Sequence, residues 1–341
     1  VRLTKGPAYE QAIEAGPAAS DWPTYRHDET RSGATATVVP SKLKEAWKTR
    51  IGSNCTPPIL SAGRLIVADK DTHTVHCLDA SSGSSLWHFI AGGVVDSPPT
   101  AIAGRVLFGC TDGRVYCVTA KEGNLIWHFQ AAPRDQRIVS NGQVQSSWPV
   151  HGSVLVKNDV AYVVAGRSSF LDGGIYLYGL DTVTGTVRCR SHLDGPWHNP
   201  NEKSPHSAHS MPGGLADILV CENDKLYMMQ NVFDLELNQL ESPVIAPYGA
   251  LKTEEHLVAS GGFLDNTGFD RIFWMRADRW PGLYYGYNAP KTGQILVFDQ
   301  NTTYALHTFA ERFSRSPYSP RAQEAYDLVA EARHVPIDRP G

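Results

Sequence analysis

Three tryptophans, Trp47, Trp87 and Trp127, stand 40 residues apart, and this spacing is the visible end of a longer repeat. Residues 56–89 (TPPILSAGRLIVADKDTHTVHCLDASSGSSLWHF) align with residues 97–129 (SPPTAIAGRVLFGCTDGRVYCVTAKEGNLIWHF) with one residue of slack. Periods of this length belong to propellers and solenoids, in which each unit buries its faces only against its neighbours. Each unit holds a short segment after Pro-Pro, an apolar run after Ala-Gly-Arg, a second run past a polar turn, and a last run ending Trp-His-Phe. Four short runs broken by turns read as one four-stranded antiparallel blade. Asp112-Gly113 marks the middle turn as a hairpin, because both residues tolerate positive φ.

Fainter copies follow, one with Cys189 where the tryptophan would stand. The expected fold is therefore all-β, a propeller of four-stranded antiparallel blades at about 48–89, 90–130, 150–192, 212–241 and 245–309 within a domain spanning 21–309. Residues 1–20 read as an amino-terminal extension, and residues 43–50, around Trp47, as an outer strand without its own three inner strands. Residues 310–341 read as a loop and a helix over 322–332. Five full blades and an orphan strand leave an open edge, and open edges invite aggregation. A ring of seven or eight blades is expected, completed by sequence not present here or by a partner chain.

Composition narrows the function classes. A net charge of -4 offers no basic excess for nucleic acid. No stretch reaches the roughly 18 to 20 apolar residues of a membrane-spanning helix. Residues 1–6 lack the apolar core of a secretory signal, which leaves a removed signal or an internal piece of a longer chain. Six cysteines without a CxxC pair argue against a zinc ribbon, a thioredoxin site or haem attachment, and read as buried free thiols.

The pattern Leu78-Asp79, Gly83, Trp87 resembles the PQQ-like propeller superfamily, which includes quinoprotein alcohol dehydrogenases and the outer-membrane assembly scaffold BamB. The opening DWPTYRHDETRSGAT followed by LKEAWKTRIG is similar to the start of secreted bacterial members, and the resemblance covers about residues 20–310. It implies a periplasmic or extracellular location. For the dehydrogenases it implies a cofactor on the propeller axis beside a calcium ion, with an Asp base near it. The adjacent Cys-Cys pair and the Glu, Asn and Asp calcium set of those enzymes have no counterparts here, so neither PQQ nor calcium is expected.

Departures from the repeat mark the candidate sites, because binding residues favour loops on a rigid scaffold. Tyr25, Arg26, His27 and Asp28 with Arg31 precede the first blade and read either as a salt-bridged surface turn or as a site. The insertion 134–151 and the interrupted hairpin 165–174 would place Arg137, His151, Arg167 and Asp172 around one cleft, with Trp148 beside them. Trp197, Trp280 and Tyr284 are aromatic candidates for ligand contact, and His206 with His209 is the candidate metal pair. Trp47, Trp87 and Trp127 are assigned a structural role, covering the neighbouring blade.

Three functions are compatible with these residues. The first is a non-catalytic binding or scaffold propeller with a protein or polysaccharide ligand. The second is a carbohydrate-active lyase or hydrolase using His151, Arg167 and Tyr25 as base, charge neutraliser and acid. The third is a PQQ-dependent dehydrogenase.

Overall fold

The computed structural model describes residues 2–11, 13, 21–140, 142–195, 213–229, 231–240, 251–259, 274–280, 291–293, 295–307 and 327–332. Within them every regular element is a strand and every pairing is antiparallel. Strand β1 is Leu3–Lys5. The first sheet holds β2 (Ile59–Ser61), β3 (Arg64–Asp69), β4 (Thr74–Asp79) and β5 (Ser85–Ile90) in that order. The second holds β6 (Thr100–Ile102), β7 (Arg105–Gly109), β8 (Arg114–Thr119) and β9 (Leu125–Gln130), with β1 added outside β9. A hairpin of β10 (Arg137–Ser140) and β11 (Gln143–Ser146) precedes the third sheet. That sheet comprises β12 (Leu155–Lys157), β13 (Val160–Ala165), β14 (Ile175–Asp181) and β15 (Val187–Leu193).

Three further sheets show three strands each: β16 (Val220–Glu222), β17 (Lys225–Met228) and β18 (Asn231–Phe233); β19 (Leu251–Ala259), β20 (Trp274–Trp280) and β21 (Lys291–Gly293); β22 (Ile295–Phe298), β23 (Thr302–His307) and β24 (Asp327–Ala332). These are successive blades of a β-propeller.

Alternation along the strands shows how the sheets stack. Val106, Phe108, Tyr116 and Val118 pack toward the first sheet, whereas Leu107, Val115 and Cys117, one residue out of phase, pack toward the third. Ala161, Val163 and Ala165 share the layer with the second sheet, and Tyr162 and Val164 share the next layer with the fourth. Both faces of these strands are buried, so they read as unbroken apolar runs rather than as alternating ones. A last layer joins Ile218, Val220 and Tyr227 to Leu257, Trp274, Leu296 and Phe298 of the final two sheets.

The turns repeat as faithfully as the strands. The hairpins joining the first two strands of four sheets are Ala62-Gly63, Ala103-Gly104, Asn158-Asp159 and Asn223-Asp224, all eight residues at positive φ. Two consecutive left-handed residues are what the right-handed strand twist asks of a tight hairpin. Between the third and fourth strands, Gly83, Gly123 and Gly185 each have positive φ and donate N–H to the carbonyl four residues earlier.

Four expectations need correction. Residues 327–332 form β24 and not part of a helix; the pairing from Thr302↔Ala332 to His307↔Asp327 overrides their helical propensity. The stretch 245–309 is divided between two sheets. Residues 43–50 carry no strand, although Trp47 lies against the first sheet. The Asp112-Gly113 turn spans three residues, with Cys110 N–H donating to Arg114 O at 3.0 Å and only Gly113 at positive φ.

Candidate functional site

Residues 21–33 contain no strand, yet they touch the inner edges of the sheets in turn. Trp22 exchanges two 2.9 Å backbone bonds with Leu60. Pro23 O accepts from Ala101 N–H at 2.7 Å, and the Thr24 and Thr100 hydroxyls meet at 2.8 Å. Glu29 O accepts from Cys221 N–H at 2.8 Å, and Ser32 O from Phe298 N–H at 3.0 Å. Tyr25 packs against Trp274 at 6.5 Å, and the Arg26 guanidinium lies 4.8 Å over the same ring while donating to Leu296 O. The segment thus fills the space where the sheets converge.

Arg31 is its anchor. The side chain is fully buried and donates to Thr24 Oγ1 (2.8 Å), Tyr25 O (3.0 Å), Ser153 O (3.1 Å) and Leu219 O (3.2 Å). Burial lowers its pKa to about 10, with Asp28 opposing the shift, so the group stays charged at neutral pH. Asp28 shapes the turn by accepting from Ser32 N–H at 2.9 Å and Thr30 Oγ1 at 2.8 Å. Arg26, His27 and Arg31 all take positive φ, and the dense bonding around Asp28 holds them there. The reading of this turn as a salt-bridged surface feature is corrected, because Arg31 is bonded to carbonyls and a hydroxyl in the interior.

A second buried centre follows from the repeat register. Cys55, Asp96 and His151 each lie six positions before the last residue of an inner strand (Ser61, Ile102, Lys157), so they are equivalent in three successive sheets. His151 Nδ1 meets Asp96 Oδ2, and both side chains are buried. Ser97 Oγ donates to Asp96 Oδ1 at 2.7 Å and accepts Gly152 N–H at 2.8 Å. The serine hydroxyl is therefore directed at the carboxylate and not at the imidazole, which is not a nucleophile arrangement.

The other candidates are dispersed into local pairs. Arg167 donates to Asp172 at 2.8 Å. Arg137 lies on the exposed β10–β11 hairpin and pairs with Asp135 at 3.3 Å. His151 pairs with Asp96, so the four residues expected around one cleft, Arg137, His151, Arg167 and Asp172, are engaged in three pairings. Trp148 is buried, with Arg134 5.3 Å over its ring. His27 meets the edge of Trp22 at 5.1 Å, and its Nδ1 stands 3.5 Å from Asp28. The backbone of Trp280 lies in β20. Trp197, Tyr284, His206 and His209 lie outside the described residues.

The repeated tryptophans meet glycines of the following turns. A Cβ on Gly83 would stand 2.4 Å from the Trp47 ring, and one on Gly123 or Gly185 would stand 2.6 Å from Trp87 or Trp127. Trp47 and Trp87 donate Nε1–H to Ala80 O and Ala120 O, each at 3.0 Å. All six cysteines are free thiols; Cys77, Cys110, Cys117 and Cys221 are buried, but Cys55 is exposed, against expectation. Sequence reading also missed the buried Arg276–Glu222 pair at 3.4 Å, which links β20 to β16, with Arg276 4.0 Å over Phe298.

Comparison with known proteins bears on these features. Residues 31–196 match the family model described as outer membrane protein assembly factor BamB. No curated protein matches the sequence. Among solved structures, BamB from Moraxella catarrhalis is 17% identical, with a TM-score of 0.42 over 73% of this chain and 65% of that one. A europium-containing methanol dehydrogenase is 14% identical, with a TM-score of 0.46 over 93% of this chain and 55% of that one. The quinohemoprotein alcohol dehydrogenase of Comamonas testosteroni is 20% identical, with a TM-score of 0.40 over 51% and 27%. The chain spans at most about two thirds of the length of each of these structures. The matched stretch, just under half of the chain, contains the first three sheets with their left-handed hairpins and the Leu78-Asp79, Gly83, Trp87 pattern, and over it the chain is similar to the PQQ-like propeller family.

Proposed function

We propose that the chain is a non-catalytic binding or scaffold propeller, part of a larger exported protein, whose ligand is another protein or a polysaccharide. The observation that carries this reading is the filling of the inner edges by residues 21–33, locked by Arg31. Quinoprotein dehydrogenases hold their cofactor on that axis. Here the residues at the axis bond to one another, and among the described residues no three His, Cys, Asp or Glu side chains group as metal ligands. They do not fit PQQ with calcium.

The lyase or hydrolase alternative needs His151 to reach a substrate proton, but its side chain is only 1% exposed and its Nδ1 is engaged by Asp96. A propeller whose inner edges are bridged by its own residues 21–33 offers its outer surfaces and loops as a rigid platform. The description of the matched family points to outer-membrane assembly proteins as one class of partner.

The test is to incubate the chain with acidic polysaccharides, and separately with primary alcohols, PQQ, calcium and a redox dye. Absence of unsaturated uronate and of dye reduction, together with saturable crosslinking to a purified outer-membrane assembly protein or saturable retention of a polysaccharide, is the expected result. Turnover that His151→Ala abolishes would replace the scaffold reading with the enzymatic one.

A further inference from the structure

We infer that the cleft between β1 and the β14–β15 edge binds an acidic saccharide through its carboxylate. Its volume is about 330 Å³, and it is lined by Arg2, Tyr176, Tyr178, Arg190, Ser191 and His192. The two outer strands place these side chains by register: Tyr178 stands opposite Arg190, and Tyr176 opposite His192, on one face of the third sheet. Arg2, just before β1, reaches across from the second sheet, donates to Tyr178 Oη at 2.5 Å and lies 5.8 Å over that ring. Tyr178 is held from behind by Phe129 at 5.2 Å. The cleft is thus built by two sheets and not by one loop.

Its charge is one-sided. Two guanidinium groups and an imidazole face the space, and none of the lining residues is a carboxylate. Arg2 retains donors beyond the one given to Tyr178, while the Arg190 guanidinium makes no hydrogen bond or ion pair among the described residues. By contrast Arg188, two positions along the same strand, is held by Asp181. A free planar fork beside a second cation is suited to a carboxylate gripped through two parallel N–H bonds.

The aromatic side of the cleft selects the rest of the ligand. Tyr176 and His192 stack at 4.2 Å with their planes 17° apart, and His192 Nε2 is fixed by Gly173 O at 2.7 Å. A locked pair of flat rings presents an apolar plane suited to the C–H face of a pyranose. The volume lies at the small end of ligand sites, the size of one or two sugar units. An extended acidic peptide would use the charge but not the platform. The inference shares with the reading above only the premise that the protein binds; its residues are different ones.

Calorimetric titration of the full chain with digalacturonate tests it. Binding is expected, and the methyl diester, which keeps the rings and removes the charge, should bind at least about tenfold more weakly. Arg190→Ala should cost about tenfold, the value of one charge-assisted contact of about 1.4 kcal/mol, and Arg190→Lys should recover part of it. Arg190 is exposed, so both variants should fold, and circular dichroism checks that they do. No binding of digalacturonate, equal binding of the ester, or no effect of Arg190→Ala would overturn the site. Tighter binding of a hexaglutamate peptide would overturn the saccharide assignment. Binding accompanied by cleavage would leave the cleft intact and defeat the non-catalytic reading, so the two ideas fail separately.

Discussion

Asp79 and Asp181 occupy the same turn of their respective sheets, and both accept N–H bonds from the residues two and three positions on. Only Asp181 also meets an arginine. Burial pushes its pKa upward, but the bonds from Arg188 and Thr184 outweigh that and hold it at about 2, against an ordinary 3.8. A folded-state value below the unfolded one gives stability that is complete above about pH 4 and lost as the pH falls through about 2. The stability advantage of the natural protein over Asp181→Asn should therefore shrink across that window in thermal melts recorded at stepped pH. A constant difference down to pH 2 would show that the charge contributes nothing. The Asp of the repeat was legible in sequence as Leu-Asp-x-x-x-Gly, whereas the buried Asp96–His151 pair was legible only by aligning three repeats and seeing Cys55, Asp96 and His151 fall on one position. Arg31 left no such trace, since a polar turn without periodicity reads the same whether water or protein surrounds it.

At the scale of the element, strand pairing and turn geometry carry the repeat. Gly123 combines positive φ (72°) with the Trp87 ring at 2.6 Å from a would-be Cβ, while Gly63 has nearly the same φ (73°) and open space around it. Gly63→Ala should therefore cost only the left-handed backbone strain, about 1 kcal/mol. Gly123→Ala should cost that plus displacement of a tryptophan whose Nε1–H is bonded to Ala120 O, together roughly 2–4 kcal/mol. Urea denaturation of both variants checks the difference; equal midpoints would mean that the ring yields freely. Residues 56–129 were readable because two consecutive units are nearly identical in spacing. Residues 245–332 were not, because long insertions separate the strands and one of them, β24, is written in the Ala- and Glu-rich residues of a helix. Its hydrogen-bonding partner β23 decides the outcome, a choice that no local window contains.

For the molecule as a whole, residues 21–33 act as a keystone: one short segment is bonded to the first, second, fourth and sixth sheets, and Arg31 adds the carbonyl of Ser153 at the entry to the third. Sheets that otherwise contact only their neighbours are thereby coupled across the centre, so the propeller should unfold as a unit rather than blade by blade. In the Arg31→Met variant the carbonyls of Tyr25, Ser153 and Leu219 lose a charged donor in a site closed to water. Each buried group left unpaired costs about 1–3 kcal/mol, which sets the expected loss at several kcal/mol. The variant should also lose cooperativity, with tryptophan fluorescence and far-ultraviolet dichroism no longer giving the same transition. Trypsin reports the same architecture directly. It should cut the natural protein early in the exposed strandless segment holding Lys42 and Lys44, and spare the fully buried Arg31. In Arg31→Met, cleavage at Arg26 should become fast, because the turn that buries it has lost its anchor. If Arg26 stays protected and the two optical transitions still coincide, the segment is a passenger in the centre of the propeller and the coupling between sheets runs through their apolar layers alone.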